Sequence, residues 1–310
     1  MTVLDRILRK VKGALKILTD SDYRFLSLAK YQNYYYGRIS DAEYLERRYR
    51  ILMGSELHLA NPITFNEKIN YLKLFDRKPI YQVMADKFAA KDFVGQVIGS
   101  QYVVPTLGRW ERASDVSIDD LPEKFVIKTN HDSGTVIICR SRNDFDLKAA
   151  KRCLNKAMQC DFWLRDREWC YKDIKRCIFA EPYLKDSQTG ELRDYKFFCF
   201  NGEPRFFKVD FGRFVSHRAN YYDLNMNQLP YGEAAYPPDP IKKIEFPDNL
   251  YEMVGLARKL AQGTFFLRVD FYSADDVIYF GEMTFYPMGG LHKFIQDSQD
   301  VEIGKMLRLV

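Results

Sequence analysis

Two acidic residues, Asp270 and Glu282, stand twelve positions apart on either side of a predicted turn. Each lies in an apolar strand pattern, 267–271 or 277–282, and the acidic turn at 274–276 predicts that the strands form a hairpin. Such a hairpin can place the two carboxylates side by side, where they repel each other unless a cation lies between them. Mg²⁺ suits this position because it takes oxygen ligands and bridges carboxylates to substrate phosphates. The hairpin therefore predicts a magnesium site.

Arg268 precedes Asp270 by two residues, so strand alternation points both side chains to the same face of the sheet. A cation in this position can stabilise negative charge that develops during a reaction. The alternative is a structural ion pair between Arg268 and the carboxylates, and the hairpin alone does not decide between the two interpretations.

A second group of polar residues follows the apolar strand 125–128, which ends in Lys128. The next loop carries four residues that can approach a phosphate: Asn130, His131, Ser133 and Gly134. Loop amides and a lysine ammonium can together hold such an anion. The loop has one glycine and lacks the Gly-Lys-Ser/Thr ending of a Walker A motif, so a solvated strand end is the alternative interpretation.

Two further segments carry charge next to apolar residues. Asp86-Lys87 lies in a helix predicted over 79–95, upstream of a predicted short strand at 102–105, and a solvated helix face is the alternative interpretation. Glu181, Tyr183 and Leu184 end the strand predicted over 177–184. Such a strand end can present backbone groups and a carboxylate to an adenine base, or it can simply lead into the next loop.

The composition is that of a globular protein, with 310 residues, 46% hydrophobic and 29% charged. The net charge of +5 is too small to argue for a nucleic-acid binder. The six cysteines form no C-x-x-C pair and only four histidines are present, which makes a zinc site improbable and fits a reduced compartment. With no long apolar stretch and no signal-peptide pattern, we expect a cytoplasmic protein.

Residues 3–18 form an amphipathic helical pattern with a basic polar side. One interpretation is peripheral contact with the inner face of a membrane, and the other is a helix packed against protein. Residues 20–100 are predicted to be mainly helical, with a capping box at 64–67. Strands follow, among them a pair joined by a hairpin turn at Asn201-Gly202. Strands with interspersed helices and no regular βαβ repeat predict an α+β protein with antiparallel sheets.

The order of these motifs resembles the layout of ATP-grasp ligases, and 265–290 resembles the metal hairpin of D-alanine–D-alanine ligases. The segments 62–68, 193–198 and 281–287, together with the Lys128 strand, resemble the TupA-like ATP-grasp family. That family occurs in bacterial polysaccharide loci and is often labelled glycosyltransferase. The resemblance covers about residues 40–305.

The resemblance implies an ATP-grasp fold, with two antiparallel-sheet lobes clasping ATP and a mainly helical N-terminal region. We expect a helical region over 1–80, a first lobe with the phosphate loop over 81–180, and a C-terminal lobe with the metal site over 181–310. The N-terminal region lacks the alternating strands and helices of the usual first domain, so substrate would be held differently there.

The resemblance also assigns roles to individual residues. Lys87 and Lys128 would contact the ATP phosphates, the 130–135 loop would close over them, and Glu181 to Leu184 would meet the adenine. Asp270 and Glu282 would hold Mg²⁺, Arg268 would stabilise the oxyanion, and Lys196 would be a further ATP or substrate contact. Gly289 and Gly290 would line the acceptor end with free backbone amides.

One position departs from the ligase pattern, in which an Asn stands two residues after the metal-binding Glu. Thr284 occupies that position, and its hydroxyl is a weaker ligand. The sequence therefore predicts one Mg²⁺ at Asp270 and Glu282, with Thr284 as an additional ligand and a second ion left open.

Three functions compete at this stage. The first is an ATP-dependent carboxylate–amine ligase of surface polysaccharide biosynthesis that joins a sugar acid or polysaccharide to an amine, such as an amino acid, through an acyl phosphate. The second is a nucleotide-sugar glycosyltransferase of the same pathway, whose Asp-x-Asp motif has its spacing at 144–146 but before a predicted helix. The third is a non-catalytic nucleotide-binding scaffold.

Overall fold

The structure is a computed structural model and describes residues 16–28, 39–187, 190, 192–212 and 216–309. The amphipathic helix predicted over 3–18 therefore lies outside the described residues, apart from its last three positions. No helix in the described ranges is long and apolar enough to cross a membrane.

The N-terminal part is built from helices with defined ends. They are α1 (Ser21–Leu28), α2 (Asp41–Met53), α3 (Phe65–Phe75), α4 (Ile80–Ala85) and α5 (Ala90–Val97). The capping box is confirmed, since the Thr64 hydroxyl accepts from the Glu67 amide at 3.2 Å and the Glu67 carboxylate accepts from the Thr64 amide at 2.9 Å. Phe65 is buried, whereas Phe75 at the end of α3 is exposed.

The single helix predicted over 79–95 is wrong, because Asp86 divides it. The Asp86 carboxylate accepts hydrogen bonds from the amides of Phe88 at 2.8 Å and Ala89 at 3.1 Å. A short acidic side chain that satisfies local amides in this way competes with helix continuation. As a result Asp86 and Lys87 lie between α4 and α5, where Asp86 is buried rather than on a solvated helix face.

The first sheet has four antiparallel strands in the order β1-β4-β2-β3. They are β1 (Gly108–Trp110), β2 (Phe125–Thr129), β3 (Val136–Cys139) and β4 (Ile178–Pro182). The helices α6 (Leu147–Met158) and α7 (Trp163–Asp166) connect β3 to β4. Phe125 and Ile127 of β2 bury against Leu154 of α6, which turns the alternate residues Val126 and Lys128 to the opposite face.

The strand predicted at 102–105 is wrong. A 3₁₀ turn, Ser100–Tyr102, and an irregular extended segment occupy this region, and pairing begins only at β1. A short apolar run does not by itself acquire a strand partner, and here the edge of β4 is taken by Gly108–Trp110.

The second sheet has six antiparallel strands in the order β10-β9-β5-β6-β7-β8. They are β5 (Arg193–Phe200), β6 (Glu203–Phe211), β7 (Arg218–Asp223), β8 (Gln228–Leu229), β9 (Phe266–Ala274) and β10 (Val277–Thr284). The remaining helices are α8 (Leu250–Leu260) and α9 (Asp297–Met306). Asn201 and Gly202 both have positive φ, 50° and 84°, which confirms the hairpin turn between β5 and β6.

Aromatic residues fill the core between this sheet and its helices. Phe197, Phe207 and Phe271 are fully buried on neighbouring strands, and Phe65 of α3 contacts Phe266 edge-on at 5.0 Å. The predicted α+β class with two antiparallel sheets is confirmed. The face that carries Phe197, Phe207 and Phe271 is thus apolar, whereas Phe266 shares the opposite face with Arg268 and Asp270.

The seating of α9 on the start of α3 generates a stability prediction. A Cβ at Gly304 would lie 2.4 Å from the Ile63 carbonyl oxygen and 2.8 Å from the Phe65 amide nitrogen, both of them backbone atoms. We expect Gly304→Ala to destabilise the protein by about 1–3 kcal/mol through overpacking. Gly255→Ala, within α8, meets nothing within 4 Å and should add about 0.5–1 kcal/mol of stability.

Urea unfolding of wild type, Gly304→Ala and Gly255→Ala measures the change in the free energy of unfolding. Because each substitution removes a helical glycine, equal gains at the two positions would show that α9 does not press on the α3 N-terminus.

Candidate active site

A cleft of about 580 Å³ lies between the two sheets. Lys128, Glu181, Tyr183 and Leu184, which the sequence analysis selected, line its wall on the side of the smaller sheet. The larger sheet contributes three residues of its own, Tyr272, Phe280 and Gly281. The cleft is therefore mainly apolar, with a few charged groups at defined places, as is usual for small-molecule sites.

Several apolar lining residues were not selected from the sequence: Val104, Val126, Val136, Ile138, Pro182 and Leu192. Val136 and Ile138 lie on β3 and stay partly exposed, at 46% and 36% of their surface. The sequence signal that could have identified Val136 and Ile138 as cleft residues is the run Val136-Ile137-Ile138. This run is more apolar than is usual for a strand at the edge of a sheet.

Glu181 is held by two lysines at the wall of this cleft. Its Oε2 lies 2.6 Å from Lys128 Nζ, and its Oε1 lies 2.5 Å from Lys91 Nζ. Burial alone would raise the pKa of Glu181, but Lys128 and Lys91 outweigh burial and hold that pKa below its ordinary value. Glu181 is therefore ionised at neutral pH. The sequence analysis missed Lys91, because a lysine in the first turn of a helix carries no distinctive pattern.

The predicted Asp270–Glu282 pairing is confirmed, since the two residues are direct partners in the β9–β10 ladder. The register shifts between Phe280 and Glu282, so Gly281 forms a bulge. A Cβ on Gly281 would lie 3.0 Å from the Asp270 carbonyl oxygen and 3.1 Å from the Tyr272 ring. Glycine therefore lets the bulged strand pass close to its neighbour and brings Glu282 opposite Asp270.

Arg268 joins the two carboxylates. Its Nη2 lies 2.8 Å from Asp270 Oδ2 and 2.7 Å from Glu282 Oε1, and its Nε lies 2.7 Å from Asp270 Oδ1. Burial would lower the pKa of Arg268, but the two carboxylates outweigh it and raise that pKa. The cations Arg268, Lys87 and Lys196 likewise lower the pKa of Glu282 against the opposing effect of its burial.

These residues have the chemistry of a magnesium site. Two carboxylate oxygens converge on one cationic nitrogen, Glu282 keeps 36% of its side chain exposed, and the Thr284 hydroxyl lies 3.4 Å from Glu282 Oε1. In the described part of the chain no group of three or more His, Cys, Asp or Glu residues is placed to hold a metal. A two-carboxylate site fits Mg²⁺, which keeps waters and phosphate oxygens as its other ligands.

Lys196 continues the charged row across the larger sheet, because it pairs with Asp270 on one side and Lys208 on the other. Its Nζ lies 2.8 Å from Asp270 Oδ2, bonds to Asp194, and lies 3.5 Å from Asp210 Oδ2. These carboxylates raise the pKa of Lys196 although burial opposes them. Lys196 therefore stays charged and neutralises a buried acidic cluster.

Lys87 lies against the predicted phosphate loop. Its ammonium donates to the carbonyl oxygen of Asp132, and the Asp132 carboxylate accepts from the hydroxyls of Thr129 and Thr135. Burial lowers the pKa of Lys87, while the charge of Glu282 acts in the opposite direction. The negative charge of Glu282 therefore favours the protonated form of Lys87.

The other loop residues lie in different environments. Asn130 is buried and bonds to Asp86 at 2.8 Å and to the Cys177 amide at 2.7 Å, and the His131 ring meets the Ala157 carbonyl oxygen at 3.2 Å. Burial lowers the pKa of His131. Neither side chain lines the cleft. Their predicted ATP contact has no support in this geometry, and both residues hold the loop in place.

The tip of the loop is formed by Ser133 and Gly134, which are both exposed. Gly134 has a φ of 100°, which only glycine adopts readily. At the acceptor end, the free amide predicted for Gly289 is wrong, because that amide donates to the Tyr286 carbonyl oxygen at 2.8 Å. The turn at Pro287–Gly290 closes on itself and uses this donor internally.

Comparison with known proteins gives one family match. A family model described as TupA-like ATPgrasp matches residues 67–308. No curated protein is significantly similar in sequence.

Among solved structures, D-alanine–D-alanine ligase from Bacillus anthracis is 18% identical with a TM-score of 0.40, and the match covers 65% of this chain and 57% of that one. An L-amino acid ligase from Bacillus licheniformis is 12% identical with a TM-score of 0.41, covering 76% and 51%. The ATP-grasp ligase PsnB with Mg and ADP is 11% identical with a TM-score of 0.42, covering 83% and 65%. The chain spans less than two thirds of the length of each of these three structures.

The ion pairs that Lys196 forms with Asp194 and Asp270 generate a prediction for Lys196→Met. The substitution keeps side-chain length but leaves Asp194 and Asp270 without their shared cation, which should destabilise the protein by about 3–5 kcal/mol at pH 7.5. Loss of a nearby cation raises the folded-state pKa of a buried carboxylate, so the folded variant binds more protons than wild type and the deficit should shrink as pH falls to 5.

Urea unfolding at the two pH values measures this deficit. The matched control is Lys148→Met on the exposed side of α6, which should stay within about 0.5 kcal/mol of wild type. An equal loss for Lys196→Met at both pH values would point to lost packing rather than uncompensated charge.

Proposed function

The chain belongs to the TupA-like ATP-grasp family, and from that premise we propose that it is an ATP-dependent ligase that joins a carboxylate to an amine. The observation that carries this proposal is the cleft between the two sheets, which Gly281 lines directly beside the ion-paired group of Arg268, Asp270 and Glu282 on the larger sheet. We propose the division into 1–80, 81–180 and 181–310 for its three parts.

In this proposal the nucleotide enters base first. The adenine packs between the apolar walls and meets the backbone at Tyr183 and Leu184, while Glu181 faces the nucleoside. The phosphates run toward Lys128 and Lys87, two cations that approach from different elements. The exposed tip at Ser133 and Gly134 is the part of the loop that is placed to close over them.

Asp270 and Glu282 would hold Mg²⁺, with Thr284 as a weaker ligand, and the ion would neutralise phosphate charge. The residues of the chain perform the remaining work. Arg268 is fixed by both carboxylates and presents a permanent positive charge where an oxyanion develops. Lys196 orients Asp270 through an ion pair of 2.8 Å, and the apolar cleft walls exclude water.

ATP would phosphorylate the carboxylate substrate, and the amine would attack the acyl phosphate, releasing phosphate and forming an amide. This route requires no nucleophile from the protein. By the family resemblance the carboxylate is a sugar acid or an amino acid, and the pathway is bacterial surface polysaccharide synthesis on the cytoplasmic side of the membrane. Peripheral membrane contact through residues 3–18 is part of the same proposal.

The glycosyltransferase alternative has no specific observation in its favour. Its candidate Asp-x-Asp motif ends in Asp146, whose carboxylate accepts from the Ala149 amide at 2.8 Å and caps α6. This acidic residue therefore has a structural role at a helix N-terminus.

Nucleotide binding tests the proposal directly. At about 100 times its dissociation constant, a ligand adds about 2.7 kcal/mol of stability. We therefore expect ATP with Mg²⁺ to raise the melting temperature by roughly 5 °C or more, measured by thermal shift. Stabilisation by UDP-sugars and not by ATP would contradict the proposal.

Product formation tests the chemistry. Incubation with ATP, uronic acids and amino acids should release ADP and yield a product with the mass of an amide, detected by mass spectrometry. Glu282→Gln should abolish ADP release, because the amide cannot replace the carboxylate charge at the metal. Glu46→Gln, an exposed change on α2, is the matched control. Full turnover by Glu282→Gln would refute the metal assignment.

A further inference from the structure

Lys91 lies behind Glu181 at the wall of the cleft, and the proposed ATP contacts do not explain its position. It lies in the first turn of α5, and its Nζ bonds to the Glu181 carboxylate at 2.5 Å and to the Val104 carbonyl oxygen at 2.6 Å. It also lies over the Phe179 ring at 5.4 Å from the centroid. Three different contacts fix its position.

Lys128 is held differently, although it binds the same carboxylate. It projects from β2 into the cleft, keeps 20% of its side chain exposed against 11% for Lys91, and meets Glu181 through the other oxygen. Glu181 thus has two cationic partners, of which one is anchored and the other faces the space where the phosphates would lie.

The double pairing solves a problem of charge. A buried carboxylate that loses its only cation is strongly destabilised. If Lys128 were the only partner of Glu181, its transfer to a phosphate would leave such a carboxylate behind. With Lys91 in place, Lys128 can leave and Glu181 remains compensated.

We propose that Lys91 is a positioning residue that holds Glu181 and thereby releases Lys128 to the nucleotide phosphates. The inference rests on the proposed ATP site and goes beyond it by dividing two lysines into an anchor and a mobile phosphate ligand. It also gives α5, in the helical part of the chain, a role in nucleotide affinity without direct contact with the nucleotide.

The test compares the affinities for ATP and adenosine by calorimetry. In Lys91→Met, Glu181 retains Lys128, so the ATP affinity should fall at least about tenfold, a loss near 1.4 kcal/mol, while the adenosine affinity changes less than about threefold. In Lys91→Met combined with Glu181→Gln, Lys128 is released again. The ratio of the two affinities should then return to that of Glu181→Gln alone.

Two controls separate the proposal from its rivals. Lys91→Arg keeps a cation beside Glu181 and should keep the wild-type ratio of ATP affinity to adenosine affinity. This variant can be measured even if Lys91→Met does not fold. Lys148→Met removes a lysine elsewhere and should leave both affinities unchanged, which excludes a general charge effect.

Three outcomes would overturn the inference. Equal losses for ATP and adenosine in Lys91→Met would make Lys91 merely structural. If the double variant binds ATP as weakly as Lys91→Met does, Lys91 binds phosphate itself. If Lys91→Arg lowers the ratio of the ATP affinity to the adenosine affinity, Lys91 does not act as an anchor for Glu181. If wild type binds adenosine and ATP equally or not at all, the proposed ATP site fails first.

Discussion

The compensation of buried charge is the constraint on which the rest of this structure depends. Glu282, Asp270, Lys196 and Lys208 are consecutive partners across four strands of the larger sheet. Removing any of these charges from water costs several kcal/mol unless a partner of opposite sign lies within hydrogen-bond distance. Arg268, Asp194 and Glu233 supply the missing partners. The row is therefore a single unit of connected ion pairs, in which Arg268 and Lys196 each bond to two carboxylates.

The backbone makes this unit possible. Antiparallel pairing puts residues of adjacent strands side by side, and the two-residue period separates Lys196 from Tyr195 and Phe197, which bury on the apolar face. The bulge at Gly281 then corrects the register so that Glu282, rather than its neighbour, meets Asp270. Since a side chain at 281 would meet the backbone of the adjacent strand, this correction is available to glycine at little cost.

Much of this arrangement was predictable because it rests on short-range rules. Two apolar strand patterns and an acidic turn predicted the hairpin of Asp270 and Glu282, and alternation placed Arg268 on the same face as Asp270. Predictions failed where a side chain or a distant segment decided the outcome. Asp86 divides a predicted helix by accepting from the amides of Phe88 and Ala89, and the segment at 102–105 finds no strand partner.

Long-range partners are likewise absent from any local pattern. The contact between Lys91 and Glu181 spans ninety positions, and the three carboxylates around Lys196 come from three strands. A lysine in such a segment looks the same whether its ammonium meets water or a buried acid. The network therefore becomes visible only when strand order and helix position are known.

The hairpin left two interpretations open, a structural ion pair or a metal site, and the geometry shows that they are not exclusive. Arg268 already compensates both carboxylates, yet Glu282 keeps more than a third of its side chain exposed while Asp270 is almost fully buried. The pair is thus fixed at one end and open at the other. A ligand cation that arrives at the open end exchanges partners and does not create new buried charge, which keeps the energetic cost of binding small. The same logic holds at Glu181, where one lysine is anchored and the other faces the cleft. In both places the protein's own cations compensate the carboxylates when no ligand is bound, so the site stays folded. When a ligand binds, one ionic partner replaces another and little reorganisation is needed.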